Sequence, residues 1–179
     1  MKIHLVTGGA RGGKSRYAVE LAGRIGGKDV TFVATANASD EEMARRITRH
    51  REERRASGWA TIEAPVAAYR AVRSAETAVV LLDCLTLLSA NTMASAYAEG
   101  EEAAICAMRD EAEQLVAAAG DRPGTLIVVT NEVGFGIHPE TTAGRWFRDG
   151  LGIANQVVAA EADEVTLMVS GIPVTVKPS

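Results

Sequence analysis

Aromatic side chains and cysteines are both scarce in this chain of 179 residues. Phenylalanine, tryptophan and tyrosine together make up 4% of the sequence, and the two cysteines are Cys84 and Cys106. The cysteines lack C-x-x-C spacing and the paired histidines of a zinc site, and they are too few for a disulfide framework. This usage argues against a disulfide-stabilised secreted protein and suits the reducing environment of the cytoplasm.

An excess of positive charge and a long apolar run are also missing. The formal net charge is -4, so the molecule as a whole does not attract nucleic acid, and no basic surface with interleaved aromatic residues indicates such a partner. The apolar runs are too short to cross a bilayer, and MKIHLVTGG reaches its glycines too early for a signal peptide. We therefore expect a cytoplasmic protein with no integral membrane segment and no nucleic-acid partner, folded as one domain over residues 1–179.

Short apolar segments alternate with helical patterns along the chain. Nearly continuous apolarity suits strands that are buried on both faces of a sheet. The strand candidates are KIHLVTG, DVTFVAT, AVVLLD, TLIVVTNE, EVTLMVSG and PVTVK, and helical stripes occur at residues 15–25 and 101–120. The alternation predicts an α/β fold of three layers with a mostly parallel sheet. The last two segments meet at Gly171, Ile172 and Pro173, which is too short a connection for a crossover, so they should form an antiparallel hairpin at one edge.

The first strand candidate runs into GGARGGKS at residues 8–15, which we call the phosphate loop. This stretch fits the pattern G-x-x-x-x-G-K-[ST] through Gly8, Gly13, Lys14 and Ser15. Glycines let backbone N–H groups point at phosphate oxygens, and the N-terminus of the following helix adds partial positive charge. The lysine can reach the β- and γ-phosphates, and the serine hydroxyl can bind Mg²⁺. Arg11 could add a phosphate contact or could be an ordinary surface residue.

Polar residues follow three of the other strand candidates. Thr35, Asp83 and the pair Asn131–Glu132 stand at the carboxyl ends of strands, where ligands of such sheets collect. Asp83 stands where a carboxylate on the Mg²⁺ side would stand, although it could instead cap a helix. Glu132 could act as a base or anchor a loop. These positions favour a Mg²⁺-nucleotide enzyme that performs phosphoryl chemistry.

The stretch RITRHREERR at residues 46–55 places His50 among five arginines. Ser39 and Glu42 form a capping box that predicts a helix start, and Met43, Ile47 and His50 then share one helical face. A neutral imidazole is a nucleophile that can attack phosphorus, and neighbouring arginines could hold a polyphosphate leaving group. The alternative is a solvated basic face without a chemical role.

Two other histidines are present. His4 lies in the first strand candidate and is expected to pack in the core. His138, in the loop sequence GFGIHPE, is a second and weaker candidate for the nucleophile.

Long stretches of the chain carry a resemblance that is more specific than a phosphate loop. They are LVTGGARGGKSRYAVELA, FVATANASDEEMARRITRHREERRASGWATIEAP, LLDCLTLL and VVTNEVGFGIHPETTAGRWFRDGLGIANQVVAAEADEVTLMVSGIPVTVK. Through them the chain resembles, nearly end to end, the bifunctional adenosylcobinamide kinase / adenosylcobinamide-phosphate guanylyltransferase family. The resemblance implies a RecA-like P-loop fold, a homotrimer, and ATP and GTP as substrates.

The resemblance also implies two reactions. A nucleoside triphosphate first phosphorylates adenosylcobinamide, and GMP from GTP then passes through a guanylyl-histidine to adenosylcobinamide phosphate, giving adenosylcobinamide-GDP and pyrophosphate. The family pattern R-I-x-x-H falls on His50, which becomes the catalytic residue. Mg²⁺ would be held by Ser15 and Asp83. The implied nucleotide contacts are Gly8, Gly9, Ala10, Arg11, Gly12, Gly13, Lys14, Ser15, Thr35, Ala36, Asn37, Arg51, Glu52, Glu53, Arg54, Glu63 and Asp83.

Two simpler functions stay open from the residues themselves. One is a single-activity P-loop kinase whose arginine-rich helix covers the phosphates. The other is a non-catalytic nucleotide-binding module, which would bind GTP or ATP without turning over a corrinoid alcohol.

Overall fold

A seven-stranded sheet forms the centre of the computed structural model, which describes residues 1–37 and 57–178. The strand order is β3-β2-β4-β5-β1-β6-β7, with β6 and β7 antiparallel and the other neighbouring pairs parallel. The strands are β1 (Lys2–Gly8), β2 (Val30–Ala34), β3 (Ala60–Glu63), β4 (Val79–Asp83), β5 (Thr125–Val129), β6 (Glu164–Val169) and β7 (Ile172–Lys177). The mostly parallel sheet and its antiparallel edge pair confirm the predicted arrangement.

Helices cover both faces of this sheet and give it three layers. The described helices are α1 (Lys14–Gly26), α2 (Ala68–Ser74), α3 (Leu85–Ala96), α4 (Glu101–Gly120) and α5 (Thr142–Glu161). Of these, α1 packs on one face and α2 to α5 contribute to the core on the other. No helix in the described ranges is long and apolar enough to cross a membrane.

The central strands are buried on both faces, as their continuous apolarity predicts. In β4, Val79 and Leu81 pack with α1, whereas Val80 and Leu82 belong to the core beneath the other helices. In β5, Ile127 and Val129 follow the first pattern and Leu126 and Val128 the second. This alternation with period two fixes which strand residues point to which layer.

Three local features depart from the sequence prediction or lie beyond it. Ile25, the last residue of the helical stripe predicted over residues 15–25, is half exposed, because it stands in the last turn next to the helix end at Gly26 and Gly27. Strand β3 was not predicted, since its four residues are mostly exposed and carry little apolar signal. The predicted helix start at Ser39 lies outside the described residues.

Candidate nucleotide-binding site

The carboxyl ends of the parallel strands meet at one edge of the sheet. The register places Ala34 beside both Glu63 and Asp83, and it places Val129 beside both Asp83 and Val6. The segments that follow β1, β2, β3, β4 and β5 therefore start from one row. The structure thus brings Thr35, Glu63 and Asp83 to the same edge as the phosphate loop.

The phosphate loop joins β1 to α1 with the backbone that its glycines allow. Gly8 has a φ of 141° and Gly13 one of 91°, while Arg11 adopts a left-handed φ of 57° and is exposed to solvent. The Lys14 side chain is buried, and its Nζ donates a hydrogen bond to the Gly9 carbonyl at 2.7 Å. Lys14 therefore folds across the loop that it ends. A side chain held there is placed to meet phosphate oxygens bound by the same loop.

Packing against β6 gives a second reason for glycine at position 8. A Cβ atom built there would lie 2.5 Å from the Met168 carbonyl oxygen, closer than real Cβ atoms come. Gly8 is thus required by the neighbouring strand as well as by its positive φ.

Two neighbouring segments hold the phosphate loop by backbone hydrogen bonds. The Glu132 amide, after β5, donates to the Gly8 carbonyl at 3.1 Å. The Gly171 amide, in the turn between β6 and β7, donates to the Gly12 carbonyl at 3.1 Å. The loop is therefore attached on both sides, which presets the positions of its remaining amides.

Thr35 joins the ends of β2 and β4 by hydrogen bonds. Its buried hydroxyl donates to the Cys84 carbonyl at 2.7 Å and accepts from the Cys84 amide at 2.8 Å. Burial, reinforced by the Asp83 carboxylate, raises the pKa of the Cys84 thiol to about 11. The thiol therefore stays protonated at neutral pH and is a poor nucleophile. Thr35 thereby fixes the start of the backbone segment that carries Ala36 and Asn37, the two other nucleotide contacts predicted after β2.

The contacts of two acidic residues bear on the alternative roles that the sequence left open. The N-cap residue of α3 is Cys84 rather than Asp83, so Asp83 does not take the capping position. The Glu132 Oε1 atom accepts from the Gly134 amide at 2.8 Å, which is the behaviour of a loop anchor.

A buried polar network supports the segment after β5, and sequence reasoning missed it. The Thr130 hydroxyl donates to Asn155 Oδ1 at 2.7 Å, and Asn155 Nδ2 donates to the Asn131 carbonyl at 3.1 Å. Thr86 accepts from the Asn131 amide at 2.7 Å. Because Thr86 and Asn155 lie inside otherwise ordinary helices, no local pattern marks them. Their bonds fix the backbone that leads to Glu132.

An open cleft of about 390 Å³ adjoins the segment after β2. Asn91 reaches it from α3, and its Nδ2 group donates to the carbonyls of Thr35 and Pro65, each at 2.9 Å. Asn91 thereby ties the ends of β2 and β3 together and was not predicted. The cleft is lined by Asn37, Pro65, Val66, Asn91, Ala94 and Ser95.

The histidines differ in their surroundings. His4 is buried and its Nε2 lies 2.9 Å from the Thr166 hydroxyl, which confirms its place in the core. His138 is exposed and its Nδ1 lies 2.7 Å from Arg148. His50 lies outside the described residues, as do the predicted nucleotide contacts Arg51, Glu52, Glu53 and Arg54.

The described residues contain no group of three or more histidine, cysteine or acidic side chains that could hold a metal ion. A Mg²⁺ bound with a nucleotide does not need such a group, because phosphate oxygens and water supply most of its ligands. Oxygen donors from Ser15 and Asp83 are of the type that this ion prefers.

Comparison with known proteins connects this geometry to a family. Residues 4–176 match the family model described as cobinamide kinase / cobinamide phosphate guanyltransferase. The chain is 41% identical to the bifunctional adenosylcobalamin biosynthesis protein CobU of Salmonella typhimurium, covering 97% of this chain and 98% of that one. It is 38% identical to the bifunctional adenosylcobalamin biosynthesis protein CobP of Pseudomonas aeruginosa, covering 97% and 96% respectively.

A solved structure of low sequence identity has a similar fold. A KaiC-like protein from Pyrococcus horikoshii OT3 superposes with a TM-score of 0.54 at 16% identity, covering 93% of this chain and 70% of that one. The likeness bears on the fold alone, and together with the strand order it confirms the predicted RecA-like α/β class.

Proposed function

This chain belongs to the cobinamide kinase / cobinamide phosphate guanyltransferase family, and on that premise we propose that it catalyses two consecutive reactions. It phosphorylates the terminal hydroxyl of adenosylcobinamide, and it then transfers GMP from GTP to the adenosylcobinamide phosphate. The observation that carries the proposal is the near-complete match to relatives named bifunctional adenosylcobalamin biosynthesis proteins.

The kinase step would use the phosphate loop. The substrate alcohol attacks the γ-phosphorus of ATP or GTP, an O–P bond forms, and the bond to the β-phosphate oxygen breaks to release the nucleoside diphosphate. The alcohol proton leaves to a base or to water. Loop amides and Lys14, buried beside Gly9, would stabilise the charge that develops on the transferred group.

The transferase step would use His50 as a covalent carrier. Its neutral imidazole attacks the α-phosphorus of GTP, a P–N bond forms, and pyrophosphate leaves as the α–β bond breaks. The phosphate of adenosylcobinamide phosphate then attacks the same phosphorus. The P–N bond breaks, the histidine is regenerated, and adenosylcobinamide-GDP is released. We propose Arg51, Glu52, Glu53, Arg54 and Glu63 as nucleotide contacts in this step, since they flank His50 or end a strand at the site edge.

We propose Ser15 and Asp83 as the protein ligands for Mg²⁺. Ser15 stands in the first turn of α1, and Asp83 ends β4 in register with the strands beside it. The ion would supply positive charge to the phosphate oxygens. The protein's own contribution is to fix the loop amides and Lys14.

Three further expectations remain proposals. We infer that residues 1–179 form one domain, that the protein works in the cytoplasm, and that three copies assemble into a homotrimer. Sedimentation velocity of the purified protein tests the last of these directly, because a trimer of 18.9 kDa chains separates well from a monomer or dimer.

Conversion of the substrate tests the function as a whole. Purified protein is incubated with adenosylcobinamide, Mg²⁺ and either ATP or GTP, and products are followed by mass spectrometry. The proposal predicts a phosphorylated intermediate and then a GMP adduct that requires GTP. A phosphorylated product without any GMP adduct would identify a single-activity kinase. Nucleotide binding without either product would identify a non-catalytic module.

A further inference from the structure

Exposed apolar side chains stand on both sides of the phosphate loop. After β5, Phe135 is 87% exposed and Ile137 is 97% exposed. At the turn between β6 and β7, Val169 is 50% exposed and Ile172 is 66% exposed, and the two residues are direct partners in the antiparallel pair. We call the residues 133–138 and 169–172 the loop flanks.

The second flank is bonded to the phosphate loop, and the first flank begins directly after a residue that is bonded to it. β1 lies between β5 and β6 in the sheet, so the segments that follow β5 and β6 lie on either side of it. Glu132, which precedes the first flank, bonds to Gly8, and Gly171, within the second flank, bonds to Gly12. Both flanks therefore start from backbone that is hydrogen-bonded to the phosphate loop.

Nothing in the fold of the described residues accounts for this exposure. A large side chain exposed singly is ordinary, but Phe135 and Ile137 stand two residues apart in one loop, with Gly136 between them. Contact with another apolar surface would remove their exposed area from water, which is favourable in proportion to that area. Because the flanks lie beside the phosphate loop, we expect the apolar surface that contacts them to belong to the phosphoryl acceptor.

We propose that the loop flanks bind the apolar face of the acceptor's corrin ring while its hydroxyl-bearing arm reaches the γ-phosphate. This inference rests on the proposed function. The acceptor is a broad macrocycle with methyl groups on its faces and amide arms at its rim. Its faces match exposed phenylalanine and aliphatic side chains, and its amides can stay in water. Phe135 and Ile137 thereby become substrate-positioning residues for both reactions.

Equilibrium dialysis against cobinamide, read by its visible absorbance, tests the proposal. The wild-type protein is compared with the double variants Phe135→Ser/Ile137→Ser and Val169→Ser/Ile172→Ser. Ile25→Ser is the control, because Ile25 is as exposed as Val169 but lies in the last turn of α1, at the opposite end from the phosphate loop. Because the substituted side chains are exposed, we expect the variants to fold, and circular dichroism checks this.

The proposal predicts that Kd for cobinamide rises about ten-fold or more in the first double variant, with a smaller rise in the second. Kd for GTP should stay at the wild-type value in both, and the Ile25 variant should match wild type throughout. An unchanged Kd for cobinamide would overturn the inference. So would smaller oligomers in sedimentation velocity, which would assign the flanks to contacts between copies. Failure of the wild type to bind cobinamide would instead overturn the proposed function.

Discussion

The Lys14 ammonium donates a hydrogen bond to the Gly9 carbonyl at 2.7 Å, across the loop that lies between these two residues. The contact holds a buried ammonium group beside the backbone of the phosphate loop. Under the proposed function, a phosphate held by the loop would offer oxygen acceptors to the same side chain in place of the carbonyl. Under the proposed function, this positive charge is in place before a nucleotide binds.

Replacing Lys14 with alanine should reduce the rate of cobinamide phosphorylation by about 100-fold or more, because one positive charge is lost where charge develops in the transition state. Steady-state kinetics with ATP and with GTP measure the change. Lys28→Ala removes an exposed lysine beyond the other end of α1 and serves as the control. A Lys14 variant with wild-type kcat would show that the Lys14 charge does not stabilise the transition state.

The buried His4 should make the protein less stable in mild acid. Burial lowers the pKa of His4 below 6.5, with the Arg24 charge acting in the same direction and Glu164 opposing them. In mild acid the unfolded chain therefore binds a proton at His4 more readily than the folded chain does. The contribution of neutral His4 to the free energy of unfolding is fully present above about pH 6.5 and is lost as the pH falls through the folded pKa. The loss cannot exceed about 1.4 kcal/mol per pH unit.

Urea unfolding of wild type and His4→Gln at pH 7.5 and 5.5 tests this pH dependence. Glutamine is uncharged at both pH values, so the variant should lose less stability between them than the wild type does. An equal loss in the two proteins would assign the acid sensitivity to other groups.

Glu111 caps α2 from a neighbouring helix. Its Oε1 accepts from the Ala68 amide at 2.8 Å, whereas the N-cap position itself, Ala67, provides no side-chain bond. Glu111→Ala should therefore lower the free energy of unfolding by about 1–2 kcal/mol. Glu111→Gln keeps an acceptor and should lose less. Denaturant unfolding at pH 7 measures both, and Glu113→Gln, exposed on the same helix, is the control.

The pH dependence of the Glu111 variants has a definite sign. Burial raises the pKa of this carboxyl above its usual 4.5 despite the amides that favour its charged form. The acid therefore stabilises the fold most at low pH and loses this contribution as pH rises through its folded pKa. Relative to Glu111→Gln, the wild type should become less stable from pH 4 to pH 7. A difference that moves the other way would contradict the burial argument.

Sequence patterns predicted the features with strong local signals. The β1 boundaries at Lys2 and Gly8 and the α4 boundaries at Glu101 and Gly120 follow the apolar periodicity and the flanking polar residues. The edge hairpin followed from the short connection at Gly171. These elements are dictated by interactions that repeat every two or three to four residues, so a single sequence suffices to find them.

The contacts that complete the site are different in kind. Asn91 joins the segments after β2 and β3, and Asn155 holds the carbonyl of Asn131 from α5. Each depends on residues 24 or more positions away, so neither leaves a local pattern. Strand β3 escaped prediction for a related reason, since its pairing with β2 defines it more than its own composition does.

Formation of a phosphorus–nitrogen bond on His50 is the central claim, and labelling with α-³²P GTP tests it most directly. The protein is incubated with labelled GTP and Mg²⁺, denatured, washed and counted, alongside His50→Ala and the exposed-histidine control His138→Ala. We predict label on the wild type and on His138→Ala that survives alkali and is lost in acid, with no label on His50→Ala. Equal labelling of a folded His50→Ala protein, or no covalent label on the wild type, would contradict the account.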